Sequence, residues 1–242
     1  SYEENKDSIL LVTPSDHVIK DIKNFHLTIK KGIKSAENGN IVTLGIKPKR
    51  PETGYGYIEI SDKEKDQAFL VNNFIEKPKL ENAKSMINSN KFLWNAGIFL
   101  FRSIDMITAF KREFPNLIDY VQNAINRGKN DLDFYRLEFE NWSKCDNISV
   151  DYAIIEKIKN LVAIPFDSGW NDMGGWDSVL EEKKVDKNGV SCSSNATAID
   201  CKDVLLSSES SSLALVGLGL KNIIAVAMPD AVLVVDKKSS QK

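Results

Sequence analysis

SILLVTPSDHVI, residues 8 to 19, decides the fold class. Its first half, Ser8 to Thr13, is a short continuous apolar run, the pattern of a strand buried on both faces, and Pro14 stops it. Beyond it Val18, Ile22, Phe25, Ile29 and Ile33 recur at helical spacing, and IVTLGI, Ile41 to Ile46, reads as the next strand. A strand, a helix and a strand in that order imply a parallel sheet with a right-handed crossover. Ligands of such sheets collect beyond the carboxyl ends of the strands, which makes PSDH at 14 to 17 the first segment to inspect.

Downstream, two prolines and two glycines between Pro48 and Gly56 predict a loop. YGYIEI and AFLVNNFIEKP then alternate like half-buried strands of an inserted hairpin. WNAGIFLF, Trp94 to Phe101, is another buried strand, with Ser103 at the N-cap of a helix running to Phe114. Helices are expected through NLIDYVQNAIN, DLDFYRLEFENW and SVDYAIIEK, the last capped by Ser149, before LVAIPF returns to strand. After Trp176 the polar stretch VDKNGVSCSSN leads into short β-rich segments around Val204, Leu213, Ile223 and Val232. The expected organisation is α/β: a three-layer, Rossmann-like nucleotide-binding domain over residues 1–182, then a linker and small β-rich domain over 183–242. About 60 residues are marginal as an independent domain, so the tail is expected to pack on a neighbour.

Composition removes several function classes. With 32 basic and 34 acidic residues in 242, the net charge of -2 provides no positive field for nucleic acid or an anionic membrane. The most apolar stretch, Leu213 to Met228, is broken by Lys221 and Asn222 and falls short of the ~20 apolar residues a membrane span needs. Cys145, Cys192 and Cys201 lack metal-ligand spacing and are odd in number, which fits free thiols in a reducing, cytoplasmic setting. Only His17 and His26 are present, so histidine-rich metal chemistry is excluded. Ser15, Asp16 and His17, as chain neighbours, cannot fold into a hydrolase triad.

Four segments follow buried strands: PSDH, EKP at 76 to 78, NAG at 95 to 97, and GWNDMGGW at 169 to 176. Asp16 and Asp172 are the carboxylate pair suited to sharing a hard cation such as magnesium, completed by a phosphate. Each has a plainer alternative: Asp16 as cap of a helix starting at Val18, and Asp172 as cap of a helix near Trp176. Lys77, between Glu76 and Pro78, is a long cation on stiffened backbone and a natural partner for a phosphate monoester, although composition alone would make it a solvated lysine. Gly54 and Gly56 flank Tyr55 where backbone can approach a ligand closely, and turns use glycine as readily. Trp94, Trp170 and Trp176 are assigned no role, since core packing accounts for them equally.

Taken in order, PSDHVI, TGYGYIE, FIEKP, WNAGIFLF, SVDYAIIEK and GWNDMGGW resemble the successive blocks of the mannose-1-phosphate guanylyltransferases, within the nucleotide-sugar pyrophosphorylases. The run ending AVAMPDAVLVVDK is similar to the small β-domain that follows their catalytic domain. The resemblance implies transfer of a nucleotidyl group from GTP to mannose 1-phosphate, giving GDP-mannose and pyrophosphate without a covalent enzyme intermediate. It further implies that Asp16 and Asp172 hold magnesium, that Gly56, Glu76 and Asn95 contact the sugar, and that Lys77 holds its phosphate. Serine in PSDH stands where the family more often has alanine, and asparagine and glycine in GWNDMGGW stand where serine pairs are usual.

The family's glycine-rich signature, with its triphosphate-binding arginine and lysine, has no counterpart in these residues, so the 242 residues by themselves are expected to transfer nucleotide poorly. Base choice therefore rests on the resemblance, and a glucose-1-phosphate uridylyl- or thymidylyltransferase stays open. So does a non-catalytic relative that binds a nucleotide sugar in a regulatory role. The alternating apolar tail is a surface of the kind a homodimer buries.

Overall fold

The computed structural model describes residues 5–65, 67–210 and 212–240. The start of the polar run SYEENKD, residues 1–4, lies outside them. In chain order the first elements are β1 (Ile9–Val12), β2 (Val18–Ile19), α1 (Ile22–Glu37), β3 (Ile41–Ile46), β4 (Tyr57–Lys65), β5 (Ala68–Ile75), α2 (Leu80–Ser89) and β6 (Phe92–Arg102). They are followed by α3 (Ser103–Glu113), α4 (Pro115–Asn126), β7 (Lys129–Asp131), β8 (Phe134–Arg136), α5 (Phe139–Trp142), a wide turn at Asp151–Ile155, and β9 (Leu161–Pro165). Contacts divide the chain into two units, 1–15 with 19–170, and 16–18 with 171–242.

The larger unit holds a six-stranded sheet in the order β1-β6-β3-β9-β5-β4, with β4 also paired to β6. The strand-helix-strand beginning is present, but β6 runs antiparallel between β1 and β3, and only β3 and β9 pair in parallel. The sheet is therefore mixed, because the inserted hairpin of β4 and β5 brings its own antiparallel partners. β1 is also not buried on both faces: it bonds β6 alone and ends the strand order, leaving Leu11 and Val12 44% and 45% exposed.

Apolar residues cover both faces of this sheet, giving the expected three layers. Phe25, Ile29 and Ile33 of α1 with Ala83 and Met86 of α2 pack against Val42, Leu44, Ile98 and Leu100. On the other face Met106 and Ala109 of α3 and the turn residues Ala153 to Ile155 pack against Ile41, Phe99 and Leu161. The α1 helix begins four residues later than Val18 because Asp21 caps it, accepting from the Asn24 N–H at 2.9 Å. Ser103 is the first residue of α3 rather than its N-cap, which is Arg102, and its hydroxyl donates to the Lys6 carbonyl at 2.8 Å.

DLDFYRLEFENW forms the β7–β8 hairpin and the short α5 where one helix is predicted. Leu132 at the turn adopts φ +53°, and the Tyr135 hydroxyl donates to the Ile125 carbonyl at 2.7 Å, so local pairing overrides the helical spacing.

The smaller unit contains α6 (Trp176–Glu182), preceded by β10 (Trp170–Asn171), and β11 (Ser191–Cys192), β12 (Ala196–Ile199), β13 (Leu205–Ser208), β14 (Leu215–Leu218), β15 (Ile223–Ala227) and β16 (Val232–Asp236). β11, β13 and β15 stack in parallel in one sheet and β12 and β14 in a second, so the chain winds as a short solenoid around Val190, Cys201, Val204, Leu206 and Ala225. The division falls at Asn171 rather than Lys183, because Leu180 of α6 is buried against Leu205, Ile224 and Val226 of the solenoid.

Candidate functional site

Gly56, Glu76 and Lys77 meet where the β4–β5 hairpin joins its flanking loops. The loop before β4 is shaped by Glu52, 5% exposed, whose Oε1 accepts from the N–H groups of Thr53 at 2.9 Å and Gly54 at 3.1 Å. Its carbonyl accepts from the Tyr57 hydroxyl at 2.8 Å. Gly56 is needed for space: a β-carbon there would stand 2.5 Å from Glu76 Oε2 and 3.0 Å from Phe74 Cζ. One residue on from Glu76, Lys77 takes φ +46° and donates its N–H to the Tyr55 carbonyl at 3.2 Å, which turns the chain out of β5. Lys77 Nζ is 3.8 Å from Glu76 Oε1 and remains largely exposed, so a cation stands beside a partly buried carboxylate.

Asn95 enters this corner along β6. Its backbone N–H donates to the Gly56 carbonyl at 2.8 Å. Thr43 faces Phe99 and Gly45 faces Asn95, so two steps on β3 oppose four on β6, a bulge in which Gly97 adopts φ +67°. Thr43 and Gly45 share a face of β3, and Thr43 Oγ1 donates to Asn95 Oδ1 at 2.9 Å. The Gly97 N–H donates to the same oxygen at 3.2 Å, while Asn95 Nδ2 donates to Asp151 Oδ1 at 3.1 Å.

The electrostatics match the geometry. Burial, then the charge of Asp151, pushes the Glu76 carboxyl above its ordinary value, opposed by Lys77. Burial likewise raises Asp151, opposed by hydrogen bonds from its own backbone N–H and from Asn95, and by Lys77. Glu156 is raised by burial and by Asp151, although the Glu76 N–H bonds to it. Three carboxyl groups thus gather in one corner, and Lys77 offsets two of them. The aromatic rings behind are core: Tyr55 packs edge-on to Trp94 and Trp170 at 5.1 and 5.4 Å.

Asp16 and Asp172 belong together to the smaller unit. β2 pairs with β10, and the N–H groups of Lys20 and Asp21 both donate to the Ser168 carbonyl. Residue 20 therefore lies against 168 while 18–19 pair with 170–171, so the strands run in opposite directions and the same end of this ladder leads to Asp16 and to Asp172. Neither residue is a helix cap: α1 is capped by Asp21, and α6 by Gly175 without a side-chain bond. Asp172 instead closes a tight turn, Oδ1 accepting from the Gly174 N–H at 3.1 Å.

A family profile described as "Nucleotidyl transferase" matches residues 2–189. This chain belongs to the nucleotidyl transferase family. Among its relatives, the Xanthan biosynthesis protein XanB of Xanthomonas campestris pv. campestris (strain B100) is 40% identical over 228 residues, covering 94% of this chain and 48% of the relative. The mannose-1-phosphate guanylyltransferase of Escherichia coli (strain K12) is 36% identical over 244 residues, covering 99% and 51%. The chain thus spans about half the length of the curated relatives it matches. A solved structure named mannose-1-phosphate geranyltransferase, from Thermus thermophilus, superimposes with a TM-score of 0.84 at 25% identity, covering 99% of this chain and 69% of that one.

Nucleotidyl transferases of this family generally work with a divalent metal. Two carboxylates at one end of the β2–β10 ladder suit a hard cation, and among the described residues no cluster of three or more His, Cys, Asp or Glu side chains is placed to hold a metal. No helix among the described residues is long and apolar enough to cross a membrane.

Sequence reasoning missed Asp151, Glu156 and Thr43 as neighbours of Glu76 and Asn95. The block SVDYAIIEK contains both acids, and an aspartate beside the apolar run AII was the available signal. The Ser149 hydroxyl accepts a long 3.5 Å bond from the Tyr152 N–H and its carbonyl a 2.9 Å bond from the Ala153 N–H, and the segment winds into a wide turn that faces Asp151 toward Asn95.

Proposed function

We propose that the protein transfers a guanylyl group from GTP to mannose 1-phosphate. A phosphate oxygen of mannose 1-phosphate forms a bond to the α-phosphorus of GTP, the bond from that phosphorus to the bridging oxygen of the β-phosphate breaks, and pyrophosphate leaves with the electron pair. Displacement of this kind requires charge neutralisation and in-line alignment rather than a nucleophilic side chain. Lys77 binds the sugar phosphate, while Glu76 and Asn95 bond the sugar hydroxyls over the open face left by Gly56. Asp16 and Asp172 would hold magnesium, which when bound supplies charge neutralisation on the phosphates.

The observation that carries this reading is the joining of Gly56, Glu76, Lys77 and Asn95 through the 2.8 Å Asn95–Gly56 bond, the 3.8 Å Lys77–Glu76 pair and the close approach of Gly56 to Glu76. An exposed cation beside one donor amide and a partly buried carboxylate is the chemistry of a hexose phosphate site. The free thiols of Cys145, Cys192 and Cys201 agree with a cytoplasmic setting. The exposed side chains of Val232 and Val234 on β16 agree with a homodimer, read by light scattering of the eluted protein.

The test is incubation with each nucleoside triphosphate and each of mannose and glucose 1-phosphate, with magnesium, followed by chromatography of the products. GDP-mannose formed in preference to UDP- or dTDP-glucose is expected. A uridine or thymidine product overturns the substrate assignment, and no product even when a glycine-rich triphosphate-binding segment is joined to the 242 residues overturns catalysis itself. The same assay on the 242 residues alone reads the poor turnover expected of them.

A further inference from the structure

Asn95 offers a planar carboxamide with two acceptor positions on oxygen and two N–H donors on nitrogen. Here both oxygen positions are taken, by Thr43 Oγ1 at 2.9 Å and the Gly97 N–H at 3.2 Å, and one N–H is given to Asp151 Oδ1 at 3.1 Å. These three bonds fix which end of the amide is which, because turning it over would set the NH₂ against the Gly97 N–H and the oxygen against a carboxylate. One N–H of Asn95 is left to face a ligand. We infer that Asp151 and Thr43 are positioning residues that hold Asn95 as a single-donor group, so that it reads an acceptor oxygen of the sugar and rejects a ring position that presents only a donor.

The inference rests on the proposed function for the identity of the sugar phosphate, and on the three bonds alone for the positioning. Asp151 does not replace Glu76, the other partly buried carboxyl of the site, since its Oδ1 faces Asn95 and its charge acts on Glu76 without a bond between them. Thr43, wholly buried on β3, is out of reach of solvent and acts only through Asn95.

Two measurements on the 242-residue chain test it. In a proton-nitrogen correlation spectrum, the Asn95 side-chain pair, assigned by its loss in Asn95→Ala, is expected to be slow to exchange, and to lose that protection in Asp151→Ala and Thr43→Val. In calorimetric titration with mannose 1-phosphate, Asp151→Ala and Thr43→Val are each expected to weaken binding about tenfold, as loss of one orienting hydrogen bond does. Asp151→Asn keeps an acceptor for Nδ2, and is expected to bind within about threefold of the parent. In the Asn95→Ala background, Asp151→Ala is expected to add nothing further.

An Asn95 pair that exchanges freely in the parent overturns the inference, as does an Asp151→Ala effect of equal size with and without Asn95. A parent that binds no mannose 1-phosphate but keeps the protected pair overturns the proposed substrate and supports the positioning. Should Asp151→Ala not fold, Thr43→Val and Asp151→Asn carry the same comparison.

Discussion

Gly56 lies so close beneath the Glu76 carboxylate that a methyl group on it would meet Oε2 at 2.5 Å. Phe74 at 3.0 Å blocks the other way out, so the carboxylate rather than the ring must yield. Gly56→Ala is expected to raise KM for mannose 1-phosphate about tenfold, a loss of ~1.4 kcal/mol, with kcat changed less. Steady-state kinetics beside a far-UV spectrum checks this; an unchanged KM in a folded variant would remove Gly56 from the sugar site.

Lys77 is the cation that offsets Glu76 and Asp151 while standing mostly in solvent. Lys77→Ala is expected to weaken mannose 1-phosphate binding by roughly 10- to 100-fold, the range for loss of a charge-assisted bond to a phosphate. Affinity for unphosphorylated mannose should be unchanged. Equal losses for both sugars would assign Lys77 to the shape of the site rather than to the phosphate.

The raised carboxyl groups make stability depend on pH with a definite sign. Glu76, Asp151 and Glu156 each bind a proton more tightly in the folded chain than in the unfolded one. Their contribution is therefore complete below the ordinary carboxylate pKa, about 4, and is lost as pH rises through the raised values. Asp151→Asn mimics the protonated group. Its melting temperature relative to the parent is expected to climb from about pH 4.5 to about pH 7.5, and a difference that shrinks over that interval would contradict the assigned burial cost.

Asp172→Asn is expected to lower GDP-mannose formation more than about 100-fold while leaving the melting temperature nearly unchanged. The new side chain can still accept the Gly174 N–H through its oxygen, but it gives up the charge that would bind magnesium. A magnesium titration of both proteins reads this directly. Full activity in the variant would reduce Asp172 to a turn residue.

Much of the fold was legible because continuous apolar runs such as IVTLGI and LVAIPF can be little else than buried strands, and both lie at the sheet's centre. Periodicity said nothing about neighbours, so it could not reveal that β6 runs between β1 and β3 or that Leu11 and Val12 end up at an edge. DLDFYRLEFENW misled because spacing alone does not register that Tyr135 can reach the Ile125 carbonyl. In the corner around Gly56, Glu76 and Lys77 follow β5 as that rule expects, whereas Asn95 lies inside β6. Asp151 sits after no strand and enters through a wide helical turn, where the rule is silent.

The bulge in β6 has a meaning for how recognition can change. Had the register set by Thr43 and Phe99 continued unbroken, Asn95 would face Lys47; the surplus residues draw it back two positions, about 7 Å at the rise of a strand. The place of this amide is thus encoded in how many residues the strand contains, not only in which ones. Deleting two residues between Asn95 and Phe99 would restore an unbroken ladder with Asn95 still opposite Gly45, but would take away the bulge in which the Gly97 N–H holds the amide oxygen.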